Sequence, residues 1–210
     1  MNILIVDSSK KRAFVDVVTN DKSFGYTLDE NEKHSENLLK RIEEVINRAD
    51  LDIEDIDVFS AVVGPGSFTG IRVGLSTIKA FNFVFNKKLV AVNSFEPFLA
   101  IAKNGIILLN STHTTFYYAR VKNSKIEDMG TVSTEELLSF IKNQKVYMLD
   151  YERYEELKDY DVCYVENYNE LLKNVVCAKC KKQEYTSDVE FEPLYVQLSQ
   201  AEEQLKNKNN

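Results

Sequence analysis

The sequence predicts an α/β protein built from two similar lobes. Its 210 residues suit one large domain or two small ones, and 44% of them are hydrophobic, which supplies a core and excludes wholesale disorder. Apolar runs of strand length alternate with longer segments of helical periodicity. The order strand-strand-strand-helix-strand-helix is found in residues 1–100 and recurs more weakly in residues 101–198. Such a repeat favours two α/β lobes over one long sheet.

The first lobe begins with three predicted strands. Ile3–Asp7 is an apolar run that ends in a carboxylate, and β-rich segments follow at Arg12–Thr19 and Ser23–Leu28. From Ser35 to Ala49 the apolar residues recur with the spacing of an amphipathic helix. The rest of the lobe comprises a strand at Asp57–Val63, a helix at Ile71–Phe85 and a strand at Lys88–Val92.

The second lobe has the same order of elements with fewer helical signals. Ser133 and Glu136 form a capping box that opens a helix ending near Ile141. The acid-rich run 150–161 predicts a solvated helix face, and residues 199–210 form a polar tail. The predicted strands lie at Gly105–Leu109, Thr115–Lys122, Lys125–Val132, Lys145–Leu149 and Asp161–Val165, and a closing segment lies at Glu192–Val196.

Composition narrows the functional class. A net charge of −7 and a pI near 5.1 argue against a protein that binds nucleic acid over its whole surface. A local basic patch, or a partner protein, could still bring it into contact with RNA. The apolar stretches are shorter than a membrane span needs, and the N-terminus lacks the basic region of a signal peptide. Three cysteines give no disulfide framework. We therefore expect a cytoplasmic protein without a membrane segment.

The strongest local signal is the glycine-rich segment Gly64–Gly74, which follows a predicted strand and opens a predicted helix. Glycines permit close backbone approach, and amides at a helix N-terminus can hold an anion. However, Thr69 breaks the GxGxxG spacing, and no Gly-Lys-Ser/Thr follows. Phosphate binding and tight strand–helix packing therefore both stay open. The candidate nucleotide or phosphate loop comprises Asp7, Ser8, Gly64, Gly66, Ser67 and Thr69.

The helix that follows this loop is apolar on most sides. Arg72, Ser76, Lys79 and Asn82 make up nearly all of its polar surface. A helix of this kind is covered on most sides, either by its own lobe or by a neighbouring polypeptide. It is therefore a candidate docking surface.

Metal and nucleophile motifs are weak. His34 and His113 are the only histidines, and no H-x-x-x-H or H-E-x-x-H surrounds His34. Cys177 and Cys180 form a single C-x-x-C, for which chance is a better account than metal or redox use. We predict no metal site in this chain.

These residues resemble a known family. Val63–Ser76 is similar to the signature of the TsaB (YeaZ) family of bacterial tRNA threonylcarbamoyladenosine biosynthesis proteins. The resemblance is dense over about residues 1–100 and thin beyond them. Further similar segments are Ile5–Ser9, His34–Leu39, Val92–Phe95 and Pro193–Val196.

The resemblance implies a two-lobed fold of the actin/Hsp70/sugar-kinase (ASKHA) type with duplicated βββαβα units. It also implies a non-catalytic scaffold in the synthesis of N6-threonylcarbamoyladenosine (t6A) in tRNA. In that family a paralogue, TsaD, performs the transfer, and the ATPase TsaE completes the assembly. ATP or ADP and a metal are expected on those partners and none on this chain, which would meet tRNA through the complex.

The interface with TsaD would fall on the helices that begin near His34 and Gly70, and the same surface would form a homodimer when the chain is alone. The implied contact residues are His34, Ser35, Leu38, Arg41, Gly70, Arg72, Val73, Ser76 and Lys79.

Two alternatives remain at this point. An ATP-dependent kinase-like phosphotransferase of the ASKHA fold would use Asp7 and the glycine loop. A metallopeptidase has less support, because no ligand set is visible. The sequence also departs from the family where it reads Asn110-Ser111-Thr112-His113 instead of an Asp-Ala-Arg pattern.

Overall fold

A computed structural model describes residues 1–20, 22–112 and 114–196. The chain forms two compact units. The first contains Met1–Pro97 and Asn169–Leu194, and the second contains Phe98–Tyr168 with Tyr195 and Val196. The predicted division after residue 100 lies close to the change of unit after Pro97. Residues 169–194, however, belong to the first unit and not to the second lobe in which the sequence placed them. The predicted polar tail at 199–210 lies outside the described residues.

The first unit is built on a five-stranded mixed sheet with the order β3-β2-β1-β4-β5. Strand β1 pairs antiparallel with β2 and parallel with β4, and β4 pairs parallel with β5. Its elements are β1 (Ile3–Asp7), β2 (Phe14–Val18), β3 (Tyr26–Thr27), α1 (His34–Arg48), β4 (Val58–Gly64), α2 (Phe68–Phe85) and β5 (Lys88–Asn93).

The second unit repeats this topology strand for strand. Its sheet has the order β10-β9-β6-β7-β8, with β6 antiparallel to β7 and parallel to β9, and β9 parallel to β10. The predicted duplicated α/β fold is therefore confirmed. The elements are β6 (Asn104–Asn110), β7 (Thr115–Lys122), β8 (Lys125–Ser133), α3 (Thr134–Phe140), β9 (Val146–Leu149) and β10 (Val162–Val165). The helix that follows, α4 (Tyr168–Lys182), belongs to the first unit from Asn169 onward.

After residue 149 the helices differ from the prediction in two places. The run 150–161 contains two short 3-10 turns, Asp150–Glu152 and Glu155–Leu157, and not the predicted helix. Helix α4 was missed altogether. Its buried residues Tyr168, Leu172, Val176 and Cys180 recur every four positions, which is the helical signal that could have found it. None of the described helices is both long and apolar enough to cross a bilayer.

Helices α1 and α2 cover one face of the first sheet. Leu38 and Ile42 of α1 pack in one buried cluster with Ile71 and Leu75 of α2 and with Val6 of β1. Side chains of opposite parity in a strand point to the other face. That face carries Asp16 of β2, whose charge interacts with Lys173 and Glu170 of α4. The first sheet is therefore sandwiched between α1 and α2 on one side and α4 on the other.

Asp16 is a buried carboxyl on the α4 side of this sheet. Ser23 Oγ donates a hydrogen bond of 2.6 Å to Asp16 Oδ2, and Oδ1 accepts none from the described residues. Burial raises the pKa of Asp16 above its ordinary value, and the hydrogen bonds from Ser23 and the Phe24 backbone, with the Lys173 charge, offset this only in part.

The first prediction concerns this carboxyl. Because the native pKa of Asp16 is raised, its contribution to stability is fully present below the ordinary value of 3.8 and is lost as pH rises through the native pKa. Asp16→Asn removes that loss. The free energy of unfolding of the variant, measured by urea denaturation, should therefore gain on wild type as pH rises from about 3 to 7. A difference that stays constant with pH would contradict this assignment.

Candidate functional site

The turn after β1 holds a buried ion pair. Asp7 Oδ1 accepts hydrogen bonds from the Ser9 amide at 2.9 Å and from Ser9 Oγ at 2.6 Å, and Asp7 Oδ2 accepts one from Lys10 Nζ at 2.8 Å. Both side chains of the pair are buried. Burial raises the pKa of Asp7, but the Lys10 charge and the Lys10 and Ser9 hydrogen bonds outweigh it and hold that pKa below its usual value. The carboxylate is therefore ionised, with Lys10 as its counter-ion.

Three glycines let the loop and α2 approach this turn closely. A Cβ at Gly66 would lie 2.2 Å from the Ser9 carbonyl oxygen, and one at Gly70 would lie 2.0 Å from the Ser8 carbonyl oxygen. A Cβ at Gly74 would lie 2.2 Å from Ser8 Oγ. No side chain fits at these distances, so the glycine pattern is explained by packing of the helix on the β1 turn.

The polar groups of the loop are also used within this packing. The Ser67 amide donates to the Ser9 carbonyl at 2.7 Å, and Ser67 Oγ caps α2 by accepting from the Gly70 amide at 3.2 Å. Ser8 Oγ donates to the Gly70 carbonyl at 2.7 Å. At the start of the loop, the Gly64 carbonyl accepts from the Ser94 amide, while Thr69 is exposed. This arrangement favours tight packing over phosphate binding as the purpose of the loop.

The second prediction tests this packing by a double-mutant cycle. Gly74→Ala should cost about 1–3 kcal/mol, because the new methyl displaces Ser8 Oγ from its hydrogen bond to the helix. In a Ser8→Ala background the same change should be neutral or stabilising by up to about 1 kcal/mol, because alanine favours the helix and the next atoms are 3.4 Å away or more. Thermal unfolding of the four proteins measures the coupling, and additive effects would refute it.

The outward face of α2 is apolar and cationic. Phe83 and Val84 are 92% and 68% exposed, and Arg72 and Ser76 are also exposed. The helix has no acidic residue. The Arg72 guanidinium lies 3.8 Å from the centroid of the Phe68 ring. Phe83 and Val84 are absent from the contact residues implied by the resemblance, although they are the most exposed apolar side chains of α2.

Several of those predicted contact residues are used inside the first unit. Leu38 and Gly70 are buried inside the unit and present little surface to a partner. Val73 is half-buried against the core. Lys79 forms an ion pair with Glu192, a long-range contact that the sequence pattern could not show.

Of the α1 residues near its start, Ser35 and Leu39 are exposed, the latter at 61%. The His34 ring nitrogen lies 3.1 Å from the Lys11 carbonyl oxygen, which ties the helix start to the β1 turn region. Arg41 bonds Glu32 and Glu44 and stacks over a tyrosine ring, so it is committed locally. Leu39 is not among the contact residues implied by the resemblance, although it is exposed and its neighbour Leu38 is buried.

The cysteine pair offers little reactivity. Burial raises the pKa of Cys177 and raises that of Cys180 to about 11, so both thiols are protonated near neutral pH. Among the residues that the structure describes, no three His, Cys, Asp or Glu side chains gather into a metal-binding group. His113 lies outside those residues.

Comparisons with known proteins agree on one family. The family model for TsaD, tRNA N6-adenosine threonylcarbamoyltransferase, matches residues 29–208. A protein of that name from Kosmotoga olearia is 49% identical over 61 residues, which cover 29% of this chain and 18% of that protein. Another from Rhizobium johnstonii is 32% identical over 127 residues, covering 56% and 34%. The matched region is therefore about a third or less of the length of these relatives.

The fold has a full-length counterpart among solved structures. YeaZ from Pseudomonas aeruginosa superposes with a TM-score of 0.70 at 12% identity, covering 92% of this chain and 99% of that one. A second structure, described as having similarity to peptidase YeaZ from that organism, also gives 0.70, at 13% identity. At such identities the likeness establishes the fold alone, namely that this chain shares the fold of these two structures.

Proposed function

Because the chain belongs to the TsaD family of tRNA N6-adenosine threonylcarbamoyltransferases, which TsaB (YeaZ) proteins share, we propose that it is a non-catalytic scaffold in bacterial t6A synthesis. Its task is to bind a TsaD-type transferase and support threonylcarbamoyl transfer. The nucleotide and metal of the reaction belong to that partner and to a TsaE-type ATPase, and tRNA is met through the complex.

One observation carries this proposal: the outward face of α2 exposes apolar side chains on a helix that is held closely against its own unit. Phe83 and Val84 project from this helix, which approaches Ser8 of the β1 turn closely at Gly70 and Gly74. An exposed apolar face on an ordered helix is typical of a protein–protein contact. Arg72 and Ser76 continue this surface toward the N-terminal half of the helix.

The state of Asp7 supports a scaffold over the phosphotransferase alternative. A kinase-like site needs a carboxylate available to a metal or a phosphate. Asp7 is buried and neutralised by Lys10, and the glycine loop is packed against the same turn. The scaffold therefore accounts for these residues better.

The same face is suited to a homodimer when the chain is alone. Helix α1 exposes Glu36 and Glu43 together with Lys40, whereas α2 exposes Arg72 and has no acidic residue. In a two-fold arrangement that packs α1 of one copy against α2 of the other, the two glutamates can face Arg72.

The third prediction tests the docking face. Val73→Glu should abolish a 1:1 complex with a TsaD-type protein from the same organism, because an unpaired carboxylate buried in the contact costs several kcal/mol. Ser76→Glu changes an exposed side chain and should weaken the complex at least about tenfold. Gel filtration and calorimetric titration measure both effects.

Leu138→Glu provides the matched control, because Leu138 is an exposed apolar residue of α3 in the second unit. It should bind like wild type. Circular dichroism verifies that each variant is folded, and Ser76→Glu keeps the test valid if Val73→Glu unfolds. Unchanged affinity of folded Ser76→Glu and Val73→Glu proteins would refute this docking face.

A further inference from the structure

The segment Thr186–Leu194, called here the flanking segment, runs beside α2 after the last helix. The Thr186 amide donates to the Leu89 carbonyl at 2.8 Å, and the Leu194 amide donates to the Val63 carbonyl at 2.8 Å. Between these anchors, Phe191 is fully buried in the core that also contains α1 and α2 residues. The segment is therefore an ordered part of the first unit.

Its centre is a turn closed by reciprocal hydrogen bonds. Ser187 Oγ donates to Glu190 Oε2 at 2.6 Å, and the Glu190 amide donates to the Ser187 carbonyl at 3.1 Å. The bonds from Ser187 lower the pKa of Glu190, which keeps it ionised as the acceptor. Val189 lies inside this turn and is 85% exposed. An apolar side chain presented by a turn that is already ordered binds without a large loss of conformational entropy.

Two contacts place this turn against the flank of α2 that carries Phe83. Asn82 Nδ2 donates to Asp188 Oδ1 at 2.7 Å, and Lys79 forms an ion pair with Glu192. On a helix, Phe83 lies one turn after Lys79, so these two side chains are neighbours on the helix surface, whereas Asn82 is buried and faces the segment. Val189 directly follows Asp188 in the turn. Two exposed apolar residues thus lie next to residues that are hydrogen-bonded to each other.

We propose that Val189, together with Phe83, forms a second docking element, which extends the α2 surface and selects the heterologous partner. The proposal rests on the docking function inferred above. Val189 stands between two acids, Asp188 and Glu190, in a stretch, residues 183–196, that has four carboxylates and no lysine or arginine. The other two carboxylates, Glu184 and Glu192, form ion pairs with Lys182 and Lys79. The occupant that fits is a partner subunit with an apolar recess rimmed by basic side chains.

A second copy of this chain is a poorer occupant. Its surface is acidic overall, with a net charge of −7, and the equivalent turn carries the same carboxylates. Like charges across an interface are repulsive and suppress the wrong pairing. The flanking turn therefore favours the heterodimer over the homodimer, while the remainder of the α2 face serves both.

The test compares the two complexes in one set of variants. Val189→Asp should weaken binding to the TsaD-type protein at least about tenfold and leave the homodimer dissociation constant unchanged. Val189→Ile, which keeps the apolar contact, should bind like wild type. Ser187→Ala, which loosens the turn, should give a smaller loss. Analytical ultracentrifugation measures the homodimer, and calorimetric titration at low and high salt measures the heterodimer.

Each outcome decides the inference. Loss of the heterodimer with Val73→Glu but not with Val189→Asp overturns the flanking turn and leaves the docking function standing. No loss with either variant overturns both. Equal weakening of homodimer and heterodimer by Val189→Asp overturns the assignment of a heterologous occupant. Weaker heterodimer binding at high salt supports a basic-rimmed partner, and salt-independent binding contradicts it.

Discussion

The close packing of α2 against the turn after β1 determines how α2 is placed in the first unit. Gly66, Gly70 and Gly74 meet the Ser8 and Ser9 backbone and side-chain oxygens at distances that allow no Cβ. This contact fixes both the position and the rotation of α2 on the sheet. The rotation in turn decides which side chains are buried and which, such as Phe83 and Val84, project outward.

The buried pair of Asp7 and Lys10 makes this packing compatible with a charged residue at the end of β1. An isolated buried carboxylate is very costly, whereas one that is paired and hydrogen-bonded is tolerated. Lys10 and Ser9 together satisfy both oxygens of Asp7. Asp7, which in a phosphotransferase could bind a metal or a phosphate, therefore supports the turn on which α2 packs. This is consistent with the proposed scaffold function.

Much of the fold was predictable, because period and topology are local properties of the chain. The helices at α1 and α2 and the duplicated strand order followed from apolar spacing. The missed helix α4 has a mixed surface, with lysines between its apolar residues, so its stripe was less evident. The helix predicted at residues 150–161 is replaced by 3-10 turns. The prediction was wrong because an acid-rich run indicates exposure to solvent but does not by itself specify a helix.

The candidate site was predictable only in part. Leu38 is buried and Leu39 is exposed. This difference depends on the rotation of α1 about its axis on the sheet, which the sequence alone does not specify. The Lys79–Glu192 pair joins residues 113 positions apart. Such contacts arise from the tertiary structure, and they are also what brings the flanking segment to α2.

Amide hydrogen exchange of the chain, alone and in complex with a TsaD-type protein, tests the central claim most directly. The account predicts that complex formation slows exchange in α2 and in the Ser187–Glu190 turn, while the strands of the second unit exchange as before. Protection confined to the second unit, in a complex that forms with normal affinity, would contradict it.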